Sequence, residues 1–171
     1  DEYKLLYVGR VSKEKNLDLL AQIMARIAAI RRDIRLIVVG DGPYLEEMKT
    51  QLADAPAVFT GYLTGDHLAR VYASSDMFVL PSTTDTLGNV VLEAQASGLP
   101  VLVTDQGGPK ENLIQGETGY VLPADSAEGF VKHILYMADA PERLQQLQKN
   151  ARHYMEGRSY ENCFLRFWAR D

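Results

Sequence analysis

The 171-residue chain contains one cysteine, Cys163, so no disulfide can close within it. That leaves the redox compartment open, with the cytosol as the default. No run approaches the ~20 apolar residues that span a bilayer, so no transmembrane segment is expected. No charged segment followed by an apolar one reads as a secretion signal. Positive charge is scarce: 18 Lys and Arg stand against 23 Asp and Glu, a net charge of −5. Such a surface repels nucleic acid and anionic membrane, so any phosphate ligand needs a local cluster of cations or backbone N–H groups. His67, His133 and His153 are scattered, and no Cys, His and acidic residues stand at metal-ligand spacing. There is no P-loop and no Gly-x-Ser-x-Gly elbow. Gly40-Asp41-Gly42 follows an apolar run but lacks the third glycine, and no acid lies about twenty residues on, which argues against NAD.

What is present is a regular alternation. Short apolar runs at residues 5–8, 36–39, 58–59, 77–80, 101–103 and 120–122 are separated by segments of helical period. Most of the runs show no in/out alternation, as strands covered on both faces should. Each ends in a turn former or small polar residue: Gly9, Gly40, Gly61, Pro81-Ser82, Thr104-Asp105 and Pro123. The first helix is amphipathic, with Leu20, Ile23, Met24, Ile27 and Ile30 on one stripe behind an Asn16 cap. Others are expected at about 44–52, 66–74, 88–97, 126–137 and 141–156. The composition is that of one globular domain over residues 1–171, without linker, repeat or low-complexity tract. These features predict a doubly wound α/β domain with six parallel strands, order 3-2-1-4-5-6, and helices on both faces.

Ligands of such sheets bind beyond the carboxyl ends of the strands, where the strand order reverses. For this order the loops at 9–15 and 81–93 face each other there. The first reads GRVSKEKN and holds three cations, Arg10, Lys13 and Lys15, in an otherwise acidic chain. A guanidinium grips a diphosphate through paired hydrogen bonds, and an ammonium adds a mobile point charge. A solvated turn is the plainer reading, and it is preferred for Lys13. The second loop carries Asp85 and Glu93 around a Gly88-Asn89 break. A helix starting near Leu87 or Gly88 turns free N–H groups toward the crevice, while two carboxylates bracket a polyhydroxylated ligand. Taken singly, Asp85 reads as a helix cap and Glu93 as a surface carboxylate; taken with the basic loop opposite, both read as site residues. Arg31 and Arg32 are expected to satisfy the carbonyls at the end of the first helix.

The stretch DTLGNVVLEAQASGLPV resembles the signature of the family-4, or group 1, retaining glycosyltransferases of the two-lobed GT-B fold. YVGRVSKEKN, VVGDGP, VFTGYL and GGPKENLIQGETGYVLP follow the same family in order, from Tyr7 to about Pro123. The resemblance implies a donor site for a nucleotide-diphospho-sugar, a UDP-sugar or GDP-sugar with GDP-mannose among them, that works without metal or other cofactor. Arg10 and Lys15 match the pair that neutralises the diphosphate, with Gly9 and Gly40 at the neighbouring strand ends. Asp85 matches the acid that meets the transferred sugar, and Glu93 the one that holds the ribose. Backbone groups of Leu87, Gly88, Asn89 and Val90 resemble those contacting sugar and phosphate. Val58, Phe59, Gly61 and Tyr62 resemble the turn that receives the base. Asp85 stands where the family usually has the longer Glu, a substitution similar to a branch with mannosyl and sulfoquinovosyl transferases.

The chain opens at Asp1 without Met, and is expected to be the carboxyl-terminal, donor-binding half of a longer cytoplasmic enzyme. Its amino-terminal lobe would hold the acceptor and make any membrane contact, and the piece alone would be inactive. Tyr160, Phe164, Phe167 and Trp168 form an apolar stripe after Ser159. It reads either as packed core or as a helix over 159–171 crossing to that lobe. Two rival functions stay open: a non-catalytic nucleotide-binding or partner-docking domain, and a lobe of a sugar-nucleotide epimerase.

Overall fold

The computed structural model describes residues 2–158; the aromatic stripe and crossover helix expected beyond Ser159 lie outside them. Six strands form one sheet: β1 (Tyr3–Val8), β2 (Ile34–Val39), β3 (Ala57–Gly61), β4 (Met77–Leu80), β5 (Val101–Thr104) and β6 (Gly119–Leu122). Every pairing is parallel, and the order is β3-β2-β1-β4-β5-β6, as the sequence predicts. Between and after the strands run α1 (Leu17–Ile30), α2 (Leu45–Gln51), α3 (Gly65–Ala73), α4 (Asn89–Ala96), α5 (Ala127–Asp139) and α6 (Pro141–Glu156). On one face α1 packs against α2 and α5; on the other, α4 packs against α6, with α3 beside it.

Coverage on both faces explains the unbroken apolar runs. All residues of β4 and β5 are buried, as are Leu5, Leu6, Tyr7 and Val8 of β1. The edge strand β3 is less covered and alternates between half-buried and exposed positions, leaving Val58 39% exposed. The α1 stripe is buried at Leu20, Ile23, Met24 and Ile27, but Ile30 at its end stands 64% exposed.

Two local expectations are corrected. Asn16 does not cap α1 with its side chain: it sits in left-handed backbone (φ 55°) between a 3-10 turn at Lys13–Lys15 and the helix. Its amide instead donates to the carbonyls of Pro81 (3.1 Å) and Ala124 (3.4 Å), tying the loops after β1, β4 and β6 together. The Arg31 guanidinium leaves the helix carbonyls alone and reaches Asp33 and Asp139, because two carboxylates stand within reach.

Candidate functional site

The carboxyl ends of β1, β2 and β3 are stitched together by backbone. The Gly9 amide donates to the Val39 carbonyl (3.0 Å), and the Gly40 amide donates to the Gly61 carbonyl (2.9 Å). A side chain at Gly40 would stand 1.9 Å from the Gly9 carbonyl oxygen, on a backbone at φ 136°. Only glycine permits that approach. From the other side, left-handed Gly88 (φ 69°) turns the chain into α4 against Pro109.

Between these walls lie two adjoining cavities. The smaller, about 330 Å³, is bordered by Tyr7, Arg10, Lys15, Leu80 and Asp85. The larger, about 530 Å³, is bordered by Asp41, Tyr62, Leu63, Leu68 and Glu93. Val8, Gly9, Arg10 and Val90 border both, so the two cavities lie side by side at the β1/β4 switch point. Val90 is the second residue of α4, which sets the first turn of that helix, with its free N–H groups, against the crevice.

Lys15 Nζ donates to Asp85 Oδ1 at 2.7 Å, linking the two loops across the smaller cavity. The second oxygen of Asp85 is buried and has no partner among the described residues. Arg10 is exposed, and its guanidinium lies 3.7 Å from Glu14. Its carbonyl accepts a hydrogen bond from the Tyr7 hydroxyl at 2.9 Å. Burial, together with the charges of Asp85 and Glu14, pushes the Tyr7 phenol well up, so it stays protonated and fixes the start of the loop. In the larger cavity, Glu93 Oε2 accepts from the hydroxyl of buried Tyr72 at 3.0 Å.

Of the residues singled out in sequence, Gly9, Arg10, Lys15 and Asp85 come together with Gly40, Tyr62, Val90 and Glu93 along this crevice. Val58 and Phe59 do not border it: they lie on β3 opposite Ile37 and Val38, with Phe59 half-buried against the core. Gly61 contributes its carbonyl to Gly40. Leu87 is exposed, its carbonyl taken by the Asn112 amide, and Asn89 opens α4 on the outer surface. Lys13, read as a turn lysine without contacts, pairs with Glu47 at 3.0 Å over the Tyr44 ring. Sequence reasoning stopped at Tyr62 and missed Leu63 and Leu68, although the turn into α3 lies directly beyond. It also missed Asp41, on the very next position after Gly40. Among the described residues no group of three His, Cys, Asp or Glu side chains could hold a metal ion.

A doubly wound sheet with a charged crevice at its switch point defines a domain whose ligand binds beyond the carboxyl ends of the strands. Residues 1–154 match the family model described as "Glycosyl transferases group 1". The chain therefore belongs to the group 1 glycosyltransferases, as a domain of their GT-B architecture. Among its relatives, it is 38% identical to sulfoquinovosyl transferase SQD2 of Arabidopsis thaliana over 155 residues, 89% of this chain and 30% of that protein. It is 42% identical over 122 residues to a GDP-mannose-dependent alpha-mannosyltransferase of Mycolicibacterium smegmatis, 71% of this chain and 31% of that one. The chain thus spans about a third of the length of these relatives. The structure of Anabaena Alr3699/HepE in complex with UDP superimposes with a TM-score of 0.82 over 92% of this chain and 44% of that one. At 20% identity, that likeness is one of fold.

Proposed function

We propose that this domain binds the nucleotide-diphospho-sugar donor of a retaining glycosyltransferase. The carrying observation is the pair of adjoining cavities: Asp85, Lys15 and Arg10 border the smaller, and Arg10, Glu93, Leu63 and Leu68 the larger, with the carboxylates of Glu14 and Asp41 also on their walls. An extended ligand with hydroxyls, a diphosphate, a diol and a flat base in that order is chemically complementary to it. Sugar hydroxyls would donate to Asp85, and the ribose diol to Glu93. Arg10 and Lys15 would share the diphosphate, with the first turn of α4 adding N–H groups. As the bond from the anomeric carbon to the diphosphate breaks, negative charge grows on the departing oxygen, and these cations stabilise it. In this reading they supply the charge that a metal supplies elsewhere. Tyr62, exposed at the mouth, would cover the base.

The donor is a UDP-sugar or a GDP-sugar. The mannosyltransferase relatives favour GDP-mannose, while the Anabaena fold neighbour was solved with UDP. An acceptor hydroxyl takes the sugar with retention of configuration, and a further, amino-terminal lobe holds that acceptor. The greater length of the relatives supports this division. Family membership favours transfer over a docking domain or an epimerase lobe. Calorimetric titration with UDP, GDP, ADP and their sugars tests the reading. One nucleotide diphosphate binds, and no sugar is transferred to added acceptors; absence of binding to every nucleotide overturns the donor site.

A further inference from the structure

We propose that Tyr72 is a positioning residue for the larger cavity: its hydroxyl holds one oxygen of Glu93 and leaves the other to the ribose diol, so selecting ribonucleotides over deoxyribonucleotides. This inference rests on the donor-site reading. Tyr72 lies on α3, 3% exposed, and its hydroxyl donates to Glu93 Oε2 at 3.0 Å across to α4. Its ring packs against Phe78, with centroids 6.3 Å apart, which fixes the direction of the hydroxyl. Burial and the charge of Glu93 push the phenol far up, so it stays protonated and donates to the carboxylate. Glu93 itself is an exposed side chain on the cavity wall and, without that bond, could sample several rotamers. One helical turn before Tyr72, on the same face of α3, Leu68 borders the same cavity. One helix face thus supplies both an apolar wall and the anchor for the carboxylate. A carboxylate with one oxygen engaged and one open presents a fixed acceptor to a vicinal diol, where a mobile one would lose rotamer entropy on binding.

The test titrates the chain with UDP and GDP and with their 2′,3′-dideoxy counterparts, for the parent, Y72F, E93Q and the double variant. Y72F keeps the ring and removes the hydroxyl. For the diphosphate that binds, Y72F lowers the ribo-over-dideoxyribo preference about tenfold, the range of a hydrogen bond to a charged group. E93Q lowers it as well, and the double variant falls no further. Y72F with the parent's preference, or with equal losses for the two sugars, overturns the positioning role while the donor site stands. A parent that binds neither ribonucleotide overturns the donor site and this role together.

Discussion

Lys15 and Asp85, seventy residues apart, meet at 2.7 Å between the loops that follow β1 and β4. The ammonium that the diphosphate would need is already shared with the carboxylate that the sugar would need. The two ends of the donor are therefore coupled through one ion pair.

Removing Asp85 separates the two tasks. In D85A, Lys15 is left to the diphosphate, so affinity for the free nucleoside diphosphate rises by a few-fold at most. Affinity for the nucleotide sugar falls about tenfold, as hydrogen bonds to a charged acceptor are lost. Parallel titrations of diphosphate and diphospho-sugar read the difference; equal losses for both ligands contradict the coupling.

Arg10 is free of structural duty at its guanidinium, whose ion-pair partner among the described residues is exposed Glu14 at 3.7 Å. R10A should leave stability within about 0.5 kcal/mol, as at an ordinary surface position. Diphosphate affinity should drop ten- to a hundredfold, the scale of a charge-assisted contact. Thermal melting beside calorimetry separates these effects.

Gly40 and Gly61 make a contrasting pair. An alanine at Gly40 drives its methyl to 1.9 Å from the Gly9 oxygen, so the ends of β1 and β2 must part. A loss of about 3 kcal/mol follows, with binding impaired as well. At Gly61 (φ 72°) nothing lies within 4 Å of the added carbon, so the cost is the ~1 kcal/mol of left-handed backbone. Urea unfolding of the two variants gives the comparison.

Asp33 gives the fold an acid-sensitive tie. Hydrogen bonds from Arg31 lower its carboxyl from 3.8 to about 2. Its stabilising contribution is present above pH 4 and is lost as pH falls toward 2, because the unfolded chain takes up the proton first. D33N should be less stable near pH 6 and flatter between pH 4 and 2 than the parent. Circular dichroism melts across that range check it; the exposed setting keeps the effect small and salt-dependent.

Much of the fold was legible because strand identity and order follow from apolar runs, and those runs are local. The facing of the 9–15 and 81–93 loops follows from topology, which is why the sequence alone groups Arg10, Lys15, Asp85 and Glu93. What escaped rests on tertiary contact. Asn16 carries a capping residue's identity, yet the carbonyls of Pro81 and Ala124 compete for its amide. Tyr72 lies within the helix expected at 66–74, and only the packing of α3 beside α4 brings its hydroxyl to Glu93. Val58 and Phe59 stand on an edge strand, one turn short of the residues that border the cavity. Nothing in their spacing shows that the strand runs on to Gly61 before the chain turns.

A crystal structure of the chain with the nucleotide sugar it binds tests the donor site most directly. The site as proposed places the diphosphate between Arg10 and Lys15, the ribose on Glu93, the base along Leu63 and Leu68, and the sugar toward Asp85. A ligand seated instead in the polar cavity bordered by Thr84, Asp105 and Asp125, or with its diphosphate away from Arg10 and Lys15, would contradict it.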